Sequence, residues 1–361
     1  MSEQKGNYTG FFTVIIVLLL VIIAEVYYVN KGNIISSKNI VSSTNTNKED
    51  VSKKENTAKK EVKTSNIKII AITDKKCWAK CNTAPIIAQL KQQVPELSKT
   101  EIKTLDYSDK KAQEILQKAG LKRLPAFIFS SNELEWNIKQ FLVPTKDKQY
   151  SLNIWASYDP TRKETPKTLD VFTMWYCPFG EIALKALPQI QKTFKEDGIK
   201  LNIHYIANKV KDWTKADSFQ SLHWVPEAEE DIRQICINKN YGLDKLISYA
   251  QERYKNADNY GRIKDKPELA MKAVKIDVSK INKCINSWEW AKLLEADIKI
   301  AQDLWIWASP TWMANNKYQF GGIKAKNIQS QFCEYNPNLK WCKTQIKTDS
   351  SKNTQTPSCG K

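Results

Sequence analysis

The sequence predicts an α/β protein of two related globular units, each a mixed β-sheet flanked by helices, with one apolar helix ahead of them. Strand-like and helix-like segments alternate, and their crossover-length connections indicate mixed sheets covered by helices. A similar order of segments occurs twice along the chain. A predominantly apolar run of 19 residues near the amino terminus precedes both units.

The composition permits packed cores and argues against two kinds of partner. Of the 361 residues, 42% are apolar, which suits two globular units and excludes a wholly disordered chain. The net charge is +17, but only five basic residues are arginine, and lysine lacks the planar fork that recognises phosphates and bases. We therefore expect no nucleic-acid partner. Two histidines are too few for a His-rich metal site, and we expect neither a metal nor a cofactor.

Residues 11–29 form the apolar run, which contains one charge, Glu25, and follows a short flank at 1–10. The run is long enough to span a bilayer as a helix, and Tyr27 and Tyr28 suit its interfacial end. A cleaved signal peptide is the alternative. We expect an uncleaved single-pass anchor in the cytoplasmic membrane, with the large carboxy-terminal portion outside the cytosol.

Two polar segments flank the globular part. Residues 30–65 are rich in Ser, Thr, Asn, Lys and Glu and cannot bury enough apolar surface to offset their ordering entropy, so we interpret them as a disordered linker. Residues 344–361 are similarly polar, and we expect a disordered tail.

The first unit is predicted at 66–136, and a connector at 137–167 follows it. A β-rich run precedes Cys77 and Cys81, and a helical stretch follows them. Another strand, another helix and a strand opened by the Leu124-Pro125 pair complete the unit.

The second unit, predicted at 168–343, repeats this order. A strand leads to Cys177-Pro-Phe-Gly180, and a helix, a second strand and finally Ser309-Pro310 follow. The surplus length lies at about 221–305 and is patterned as helices, which predicts an inserted helical subdomain.

The order strand, cysteine motif, helix, strand and late proline resembles the thioredoxin fold in both units. In that family the late proline is cis and packs against the active cysteine, and Pro125 and Pro310 are the matching positions. The helical insertion makes the second unit similar to the DsbA-type oxidoreductases. The resemblance implies thiol-disulfide oxidoreductase or isomerase activity on protein or peptide thiols and disulfides, with a possible membrane redox partner. It also implies a set of substrate-binding residues: Pro178, Ser309, Pro310, Leu124 and Pro125.

Cys177 is the predicted nucleophile, because a cysteine at the start of a helix lies in the positive field of unpaired backbone N–H groups that stabilise a thiolate. Pro178 suits the first helical turn, where its missing N–H has no cost. Gly180 takes the position at which the family has its resolving cysteine, so a mixed disulfide must be released from elsewhere. A cysteine at position 180 would lie within one turn of Cys177 and should speed that release. A degenerate site kept for packing is the alternative.

Cys77 and Cys81 are separated by three residues instead of the family's two. Since positions i and i+4 share one face of a helix, we expect a reversible disulfide that acts as an auxiliary redox pair. The spacing also resembles the sites of membrane-anchored copper-delivery proteins, in which thiolates bind Cu(I). Those sites add a distant histidine, and neither His204 nor His223 belongs to this unit.

Four further cysteines are interpreted as two structural disulfides, Cys236–Cys284 in the insertion and Cys333–Cys342 near its carboxyl side. Such disulfides favour an oxidising compartment. This pairing leaves Cys177 as a free thiol and Cys359 unassigned in the tail, although Cys236 or Cys284 remains an alternative partner for Cys177.

The leading hypothesis is a membrane-anchored extracytoplasmic oxidoreductase. A redox-inactive binding or scaffold protein of the cell envelope is the second, and a Cu(I) carrier is the third. Trp175 and Trp312 flank the predicted active positions and are expected to line a peptide groove. The spacing of four other tryptophans favours the core: Trp288, Trp290, Trp305 and Trp307.

Overall fold

The computed structural model describes residues 67–130, 134, 136–210, 218–255 and 266–346. These residues all belong to one compact unit, Val62–Lys361. No helix within the described part of the chain is both long and apolar enough to cross a bilayer. The predicted anchor at 11–29 and linker at 30–65 lie outside the described residues.

In its described residues, the first half contains five strands, three helices and two short 3₁₀ helices, at Lys75–Cys81 and Pro95–Leu97. The strands are β1 (Lys68–Thr73), β2 (Ile102–Asp106), β3 (Ala126–Ser130), β4 (Leu142–Pro144) and β5 (Tyr150–Leu152). The helices are α1 (Ala84–Gln93), α2 (Lys110–Ala119) and α3 (Trp136–Lys139).

Local sequence signals set the ends of the crossover helix α2. The Asp109 side chain accepts a hydrogen bond from the backbone N–H of Lys111, which caps the amino-terminal end. Gly120 ends the helix in the left-handed conformation (φ 72°), which has no steric cost without a Cβ atom. The buried face of α2 then packs against the sheet through Ala112, Leu116 and Ala119.

The first sheet has the order β2-β1-β3-β5-β4, in which β1 and β2 are parallel and the other neighbours are antiparallel. The prediction of a connector over 137–167 is wrong for its first part, because residues 142–144 and 150–152 are strands of this sheet. These strands are only three residues long, which is too short for the alternation of apolar and polar residues to show in the sequence.

The second half contains the remaining elements. The strands are β6 (Thr168–Thr173), β7 (Lys200–Tyr205), β8 (Asn208–Lys209), β9 (Phe219–Gln220), β10 (Thr311–Ala314) and β11 (Tyr318–Phe320). The helices are α4 (Pro178–Asp197), α5 (Trp224–Tyr241), α6 (Leu243–Tyr254), α7 (Pro267–Ala273), α8 (Val278–Asn286), α9 (Glu289–Asp303), α10 (Ala325–Cys333) and α11 (Lys340–Lys343).

The second sheet repeats the arrangement of the first, with the order β11-β10-β6-β7 and with β6 and β7 parallel. In both sheets the first strand lies between its parallel partner and the strand that follows the late proline. Both late prolines follow cis peptide bonds, Leu124–Pro125 and Ser309–Pro310, as the resemblance implied. The two sheets therefore share one arrangement of strands, and the α/β fold is thioredoxin-like.

The described part of the predicted insertion contains five helices, α5 to α9. They enclose their own apolar cluster, in which Cys236 of α5 and Cys284 of α8 form a disulfide. The Asp277 side chain caps α8 by accepting hydrogen bonds from the backbone N–H groups of Ser279 and Lys280. The second predicted disulfide, Cys333–Cys342, joins the last two helices.

The two halves share one apolar core. Ile72 and Leu116 of the first half belong to the same buried cluster as Val171 and Trp312 of the second. Tyr158 lies between them: its backbone exchanges hydrogen bonds with Leu124 at 2.8 and 3.2 Å, and its other bridge partner is Tyr318. The halves are therefore two topological repeats packed within one compact unit.

Candidate active site

Cys177 lies between the second sheet and the longest helix of this half. β6 ends at Thr173, and α4 begins at Pro178, the residue after the cysteine. The backbone N–H of Glu181 donates to the Cys177 carbonyl oxygen at 2.9 Å, so Cys177 occupies the amino-terminal cap position of α4. The sulfur thus lies where the unpaired N–H groups of a 20-residue helix favour negative charge.

The segment before Pro310 forms the opposite wall of this site. The Cys177 Sγ atom lies 3.3 Å from the Ser309 carbonyl oxygen. The Ser309 hydroxyl oxygen accepts a hydrogen bond from the Met174 backbone N–H at 2.9 Å and lies 3.3 Å from the Thr173 hydroxyl. The structure therefore brings together Cys177, Ser309 and Pro310, as the sequence predicted.

The prediction that Cys177 is a free thiol is wrong, because Cys177 is disulfide-bonded. The other six cysteines in the described part of the chain pair with one another. Cys236 and Cys284, the alternative partners for Cys177, are instead bonded to each other. The Cys177 side chain is fully buried in an apolar cluster with Met174, Leu304 and Ile306.

Gly180 occupies the position at which the family has its resolving cysteine, and the surrounding atoms are close enough to crowd any side chain there. A Cβ atom at this residue would lie 2.6 Å from the Ser309 hydroxyl, 2.7 Å from the Thr173 hydroxyl and 2.9 Å from the Met174 carbonyl oxygen. The last contact is with backbone, which cannot rotate away. A cysteine at position 180 would therefore require α4 or β6 to shift, so it would not simply restore a resolving thiol as we expected.

Glu227 of α5 ties the insertion to the cysteine segment. Its buried carboxylate accepts hydrogen bonds from the Tyr176 backbone N–H at 2.5 Å, from the His223 backbone N–H at 3.1 Å and from the Ser221 hydroxyl. The His223 Nδ1 atom lies 3.0 Å from both carboxylate oxygens. The hydrogen bond with Glu227 raises the pKa of His223.

The same helix buries two more carboxylates, which the sequence analysis did not identify. Glu230 lies against Arg233 and is 3.7 Å from Arg253. Asp231 is fully buried, and this burial raises its pKa well above the ordinary value, with the neighbouring carboxylates adding to the rise. The spacing of Glu227, Glu230 and Asp231 (i, i+3, i+4) places them on one helix face, and that is the sequence signal that was available.

His204 of β7 joins the second sheet to the insertion from another side. Its Nδ1 atom lies 2.7 Å from Asp297 of α9, and its Nε2 atom lies 3.1 Å from Asp170 of β6. Its ring stacks on Phe172 with centroids 4.7 Å apart. Burial alone would lower the pKa of His204, but hydrogen bonds and charge from Asp170 and Asp297 raise it to about 9.

The tryptophans are distributed differently from our expectation. Trp175 and Trp312, predicted to line a groove, are fully buried: Trp175 stacks on Tyr254, and the Trp312 indole N–H donates to the Gly322 carbonyl oxygen at 2.8 Å. Trp305 and Trp307, predicted to lie in the core, are instead 69% and 57% exposed.

These two tryptophans flank Ile306, whose side chain packs in the cluster that contains Cys177. Helical spacing misassigned them because α9 ends at Asp303, so they lie in the irregular segment before Ser309. Leu222 and Trp224, on either side of His223, are also more than half exposed. Large apolar side chains are therefore exposed on both segments that flank the cysteine site.

Cys77 and Cys81 form the expected disulfide, within the 3₁₀ helix Lys75–Cys81. Both residues are buried in the core that the two halves share. Lys80, between them, forms a 3.2 Å ion pair with Glu334 of the second half and lies 5.3 Å from the ring centroid of Tyr335. The pair therefore faces the other half of the protein and not solvent.

The first late proline is covered in a similar way. Leu124 and Pro125 are buried, and both backbone hydrogen-bonding groups of Leu124 are taken by Tyr158. The chain's own segment therefore occupies the edge at which Leu124 and Pro125 were expected to bind substrate. Pro178 and Pro310, in contrast, are both partly accessible.

The described residues contain no group of three or more His, Cys, Asp or Glu side chains arranged to hold a metal ion. The two sulfur atoms of the Cys-x-x-x-Cys segment are bonded to each other, so in this state they supply no thiolate ligand.

Comparison with known proteins gives similarity at the level of the fold. No protein-family model matches the chain, and no curated protein matches it in sequence. A probable DsbA oxidoreductase from Streptomyces coelicolor is 12% identical, covering 50% of this chain and 93% of its own length, with a TM-score of 0.35. DsbA2 from Pseudomonas aeruginosa is 17% identical, with coverages of 48% and 90% and a TM-score of 0.32. DsbG from Mycobacterium tuberculosis is 15% identical, with coverages of 53% and 90% and a TM-score of 0.34.

Proposed function

We propose that this protein is a thiol-disulfide oxidoreductase whose redox-active sulfur is that of Cys177. The observation that carries the proposal is the position of this sulfur: it is in a disulfide, at the start of a 20-residue helix, and 3.3 Å from the carbonyl oxygen before Pro310. A helix start stabilises the thiolate that leaves when such a disulfide is attacked.

The substrates are protein or peptide thiols and disulfides. The exposed side chains of Trp305, Trp307, Leu222 and Trp224 supply the apolar surface that holds a peptide beside the sulfur. The wall residues Ser309 and Pro310, together with Pro178, lie closer to the reacting atoms. Substrates of this class require no site that recognises nucleic-acid bases or phosphate groups.

The first half has a structural role in this proposal. The Cys77–Cys81 disulfide lies within the shared core, where a substrate would have to separate the two halves to reach it. The ion pair of Lys80 with Glu334 of the second half favours a supporting module over the auxiliary redox pair suggested by the sequence. Burial alone does not distinguish this pair from Cys177, which is equally buried.

We also propose that the globular part of the protein lies in an oxidising compartment outside the cytosol. Three disulfides among the described residues, in addition to that of Cys177, are typical of oxidising compartments. An anchor at residues 11–29 would then keep the globular part at the outer face of the cytoplasmic membrane.

The test uses the full chain in detergent micelles, reduced and then mixed with a peptide disulfide. The Cys177→Ser variant should form no mixed disulfide, whereas the matched double variant Cys77→Ser/Cys81→Ser should react as the native protein does. Mass spectrometry of acid-quenched samples identifies the cysteine that carries the peptide. Reaction at Cys77 or Cys81 would move the site to the first half, and no reaction at any cysteine would favour the scaffold alternative.

A further inference from the structure

We propose that Glu227 and His223 are positioning residues of the Cys177 site, and that their combined charge sets how readily the Cys177 sulfur exists as a thiolate. This inference deepens the proposed function and rests on it. Glu227 acts through the backbone of Tyr176, the residue before the cysteine, and His223 acts through Glu227. The helical insertion thereby controls a reaction whose sulfur belongs to the thioredoxin-like part of the chain.

The Glu227 carboxylate lies near the Cys177 sulfur because it is bonded to the adjacent residue. It is fully buried and accepts the Tyr176 backbone N–H at 2.5 Å. Tyr176 directly precedes Cys177, so standard bond lengths place the carboxylate within about 10 Å of the sulfur. Salt screens a buried charge at this distance much less than it screens an exposed one. The charge on Glu227 therefore acts on the sulfur.

The cysteine segment is held against the insertion at a second point, which fixes this distance. The Tyr254 hydroxyl of α6 donates to the Trp175 carbonyl oxygen at 3.3 Å, and the two rings stack with centroids 4.2 Å apart. Both side chains are buried. The two residues before Cys177 are thus tied to two different helices of the insertion, and the fold sets the separation between Glu227 and the sulfur.

The charge on Glu227 opposes the effect of the helix start. The amino-terminal end of α4 favours a thiolate at Cys177, whereas a nearby carboxylate disfavours it. A less stable thiolate is also a poorer leaving group, so the disulfide of Cys177 becomes harder to reduce. Glu227 should therefore limit the oxidising power of the site.

His223 supplies the opposite charge and can lose it. Its Nδ1 atom lies 3.0 Å from both oxygens of the Glu227 carboxylate, and this pairing raises the pKa of His223. While His223 is protonated, its charge offsets that of Glu227, and after it loses the proton the carboxylate charge is no longer offset. The His223 side chain is 26% exposed, so solvent screens it and its effect on Cys177 should be the smaller of the two.

Other charged or titratable groups packed around this pair are balanced or kept neutral. They are Tyr176 of the cysteine segment, Glu181 of α4, Glu230, Asp231 and Arg233 of α5, and Arg253 of α6. Glu230 pairs with Arg233, and Glu181 pairs with Lys185. Burial raises the pKa values of Asp231 and Tyr176, which favours their neutral forms. The charge beside the cysteine segment therefore changes through His223 and Glu227.

The measurement is the reactivity of Cys177 as a function of pH. The full chain in detergent micelles is treated with limited dithiothreitol to open the disulfide of Cys177 and is then labelled with iodoacetamide. Mass spectrometry of the tryptic peptide 168–185 gives the rate for this cysteine alone. The ultraviolet absorbance of the thiolate follows the same titration and does not depend on access to the buried sulfur.

The Glu227→Gln variant keeps an oxygen for the Tyr176 N–H and removes the charge. A unit charge about 10 Å away corresponds to about one pH unit, so the pH of half-maximal rate should fall by that amount. Glu289→Gln is the control matched in charge, because it opens an exposed pair with Lys239, which lies about 18 Å along α5 from Glu227. The control should move the midpoint by less than about 0.3 units, since an exposed distant charge is screened.

The His223→Gln variant removes the opposing cation and should have the opposite effect. At the acid end of the profile, where native His223 is charged, the variant should react about two- to threefold more slowly than native protein, as expected for a partly exposed charge. The difference should disappear at alkaline pH, where native His223 is neutral. A loosened structure would change both variants in the same direction, so the opposite signs distinguish a role of charge from a merely structural one.

The outcomes separate this inference from the proposed function. Equal midpoints in native protein and Glu227→Gln, or changes of the same sign in the two variants, would overturn the inference, and capture of a peptide disulfide at Cys177 would still support the oxidoreductase. If Glu227→Gln does not fold, a His223→Gln rate equal to the native rate at every pH overturns the inference by itself. Opposite changes in the two variants without capture of peptide would support control of the thiolate and overturn the proposed function.

Discussion

The backbone N–H of Tyr176, the residue before Cys177, donates a 2.5 Å hydrogen bond to the buried carboxylate of Glu227. The helical insertion thus holds the cysteine segment directly, through a side chain that also pairs with His223. A carboxylate that receives several N–H and O–H donors is stabilised in its charged form and positions them all at once.

We expect the Glu227→Gln variant to lower the pKa of His223 towards its ordinary value of about 6.5, because the pairing with Glu227 is what raises it. Stabilisation from this pair is complete below the pKa of the unfolded histidine and is lost as the pH rises through the raised folded value. The variant should therefore be destabilised more at pH 5 than at pH 8. NMR titration of the histidine ring protons measures the pKa, and an unchanged value would contradict the assignment.

The Gly180→Ala variant should be less stable than the native protein by about 1–3 kcal/mol, because the new methyl group overpacks the contact between α4 and β6. Gly321→Ala is the matched control: a Cβ atom there meets nothing within 4 Å. Its free energy of unfolding should change by less than about 1 kcal/mol. Urea denaturation followed by tryptophan fluorescence measures both. Equal effects at the two positions would show that Gly180 is not sterically constrained.

Replacement of Trp305 or Trp307 by alanine should weaken peptide binding by about 1–2 kcal/mol, as loss of an exposed aromatic contact does. The rate of the chemical step and the melting temperature should stay close to native, since neither side chain is part of the core. Trp155→Ala removes an equally exposed tryptophan of the first half and serves as the control. Peptide titrations of all three variants separate binding from reaction rate, and a loss confined to the reaction rate would contradict this role.

His204 should make the stability of the protein depend on pH in the alkaline range. A folded pKa of about 9 against an unfolded value near 6.5 corresponds to roughly 3 kcal/mol of stabilisation, present in full below about pH 6.5. It is lost as the pH rises through about 9. Denaturation curves at pH 6 and pH 9.5 measure the effect. The His204→Gln variant should lose most of this difference, and an identical pH profile in the variant would show that another group is responsible.

The features that follow from local sequence were predictable, and Cys177 shows why. Its position at the start of a helix depends on a strand pattern, a proline and a helix pattern within about twenty residues. The Ser309-Pro310 pair was found by the order of elements, which the repeat in the first half reinforced. Such signals are contained in the sequence itself, so they can be recognised without knowing how the chain packs.

The features that depend on distant contacts were not predictable. Trp305 is exposed although its spacing predicted the core, because spacing does not show where a helix ends. Trp175 is buried although its place beside the cysteine motif predicted a groove. The link from Glu227 to the cysteine segment was not predictable because its donor there, the Tyr176 backbone N–H, lies 51 residues earlier. The closed space at Gly180 depends on Ser309, 129 residues later, and a sequence gives no distance between the two.

The position of Tyr158 determines how far a destabilising substitution in one half affects the stability of the other. Its backbone bridges Leu124 and Tyr318, and the core on either side is continuous. The two repeats should therefore melt as a single cooperative block and not as independent foldons. A substitution that opens a cavity at Leu116 does not contact Cys177. It should nevertheless lower the stability of both halves together. The stability of the half that contains Cys177 therefore depends on the half that contains Cys77 and Cys81.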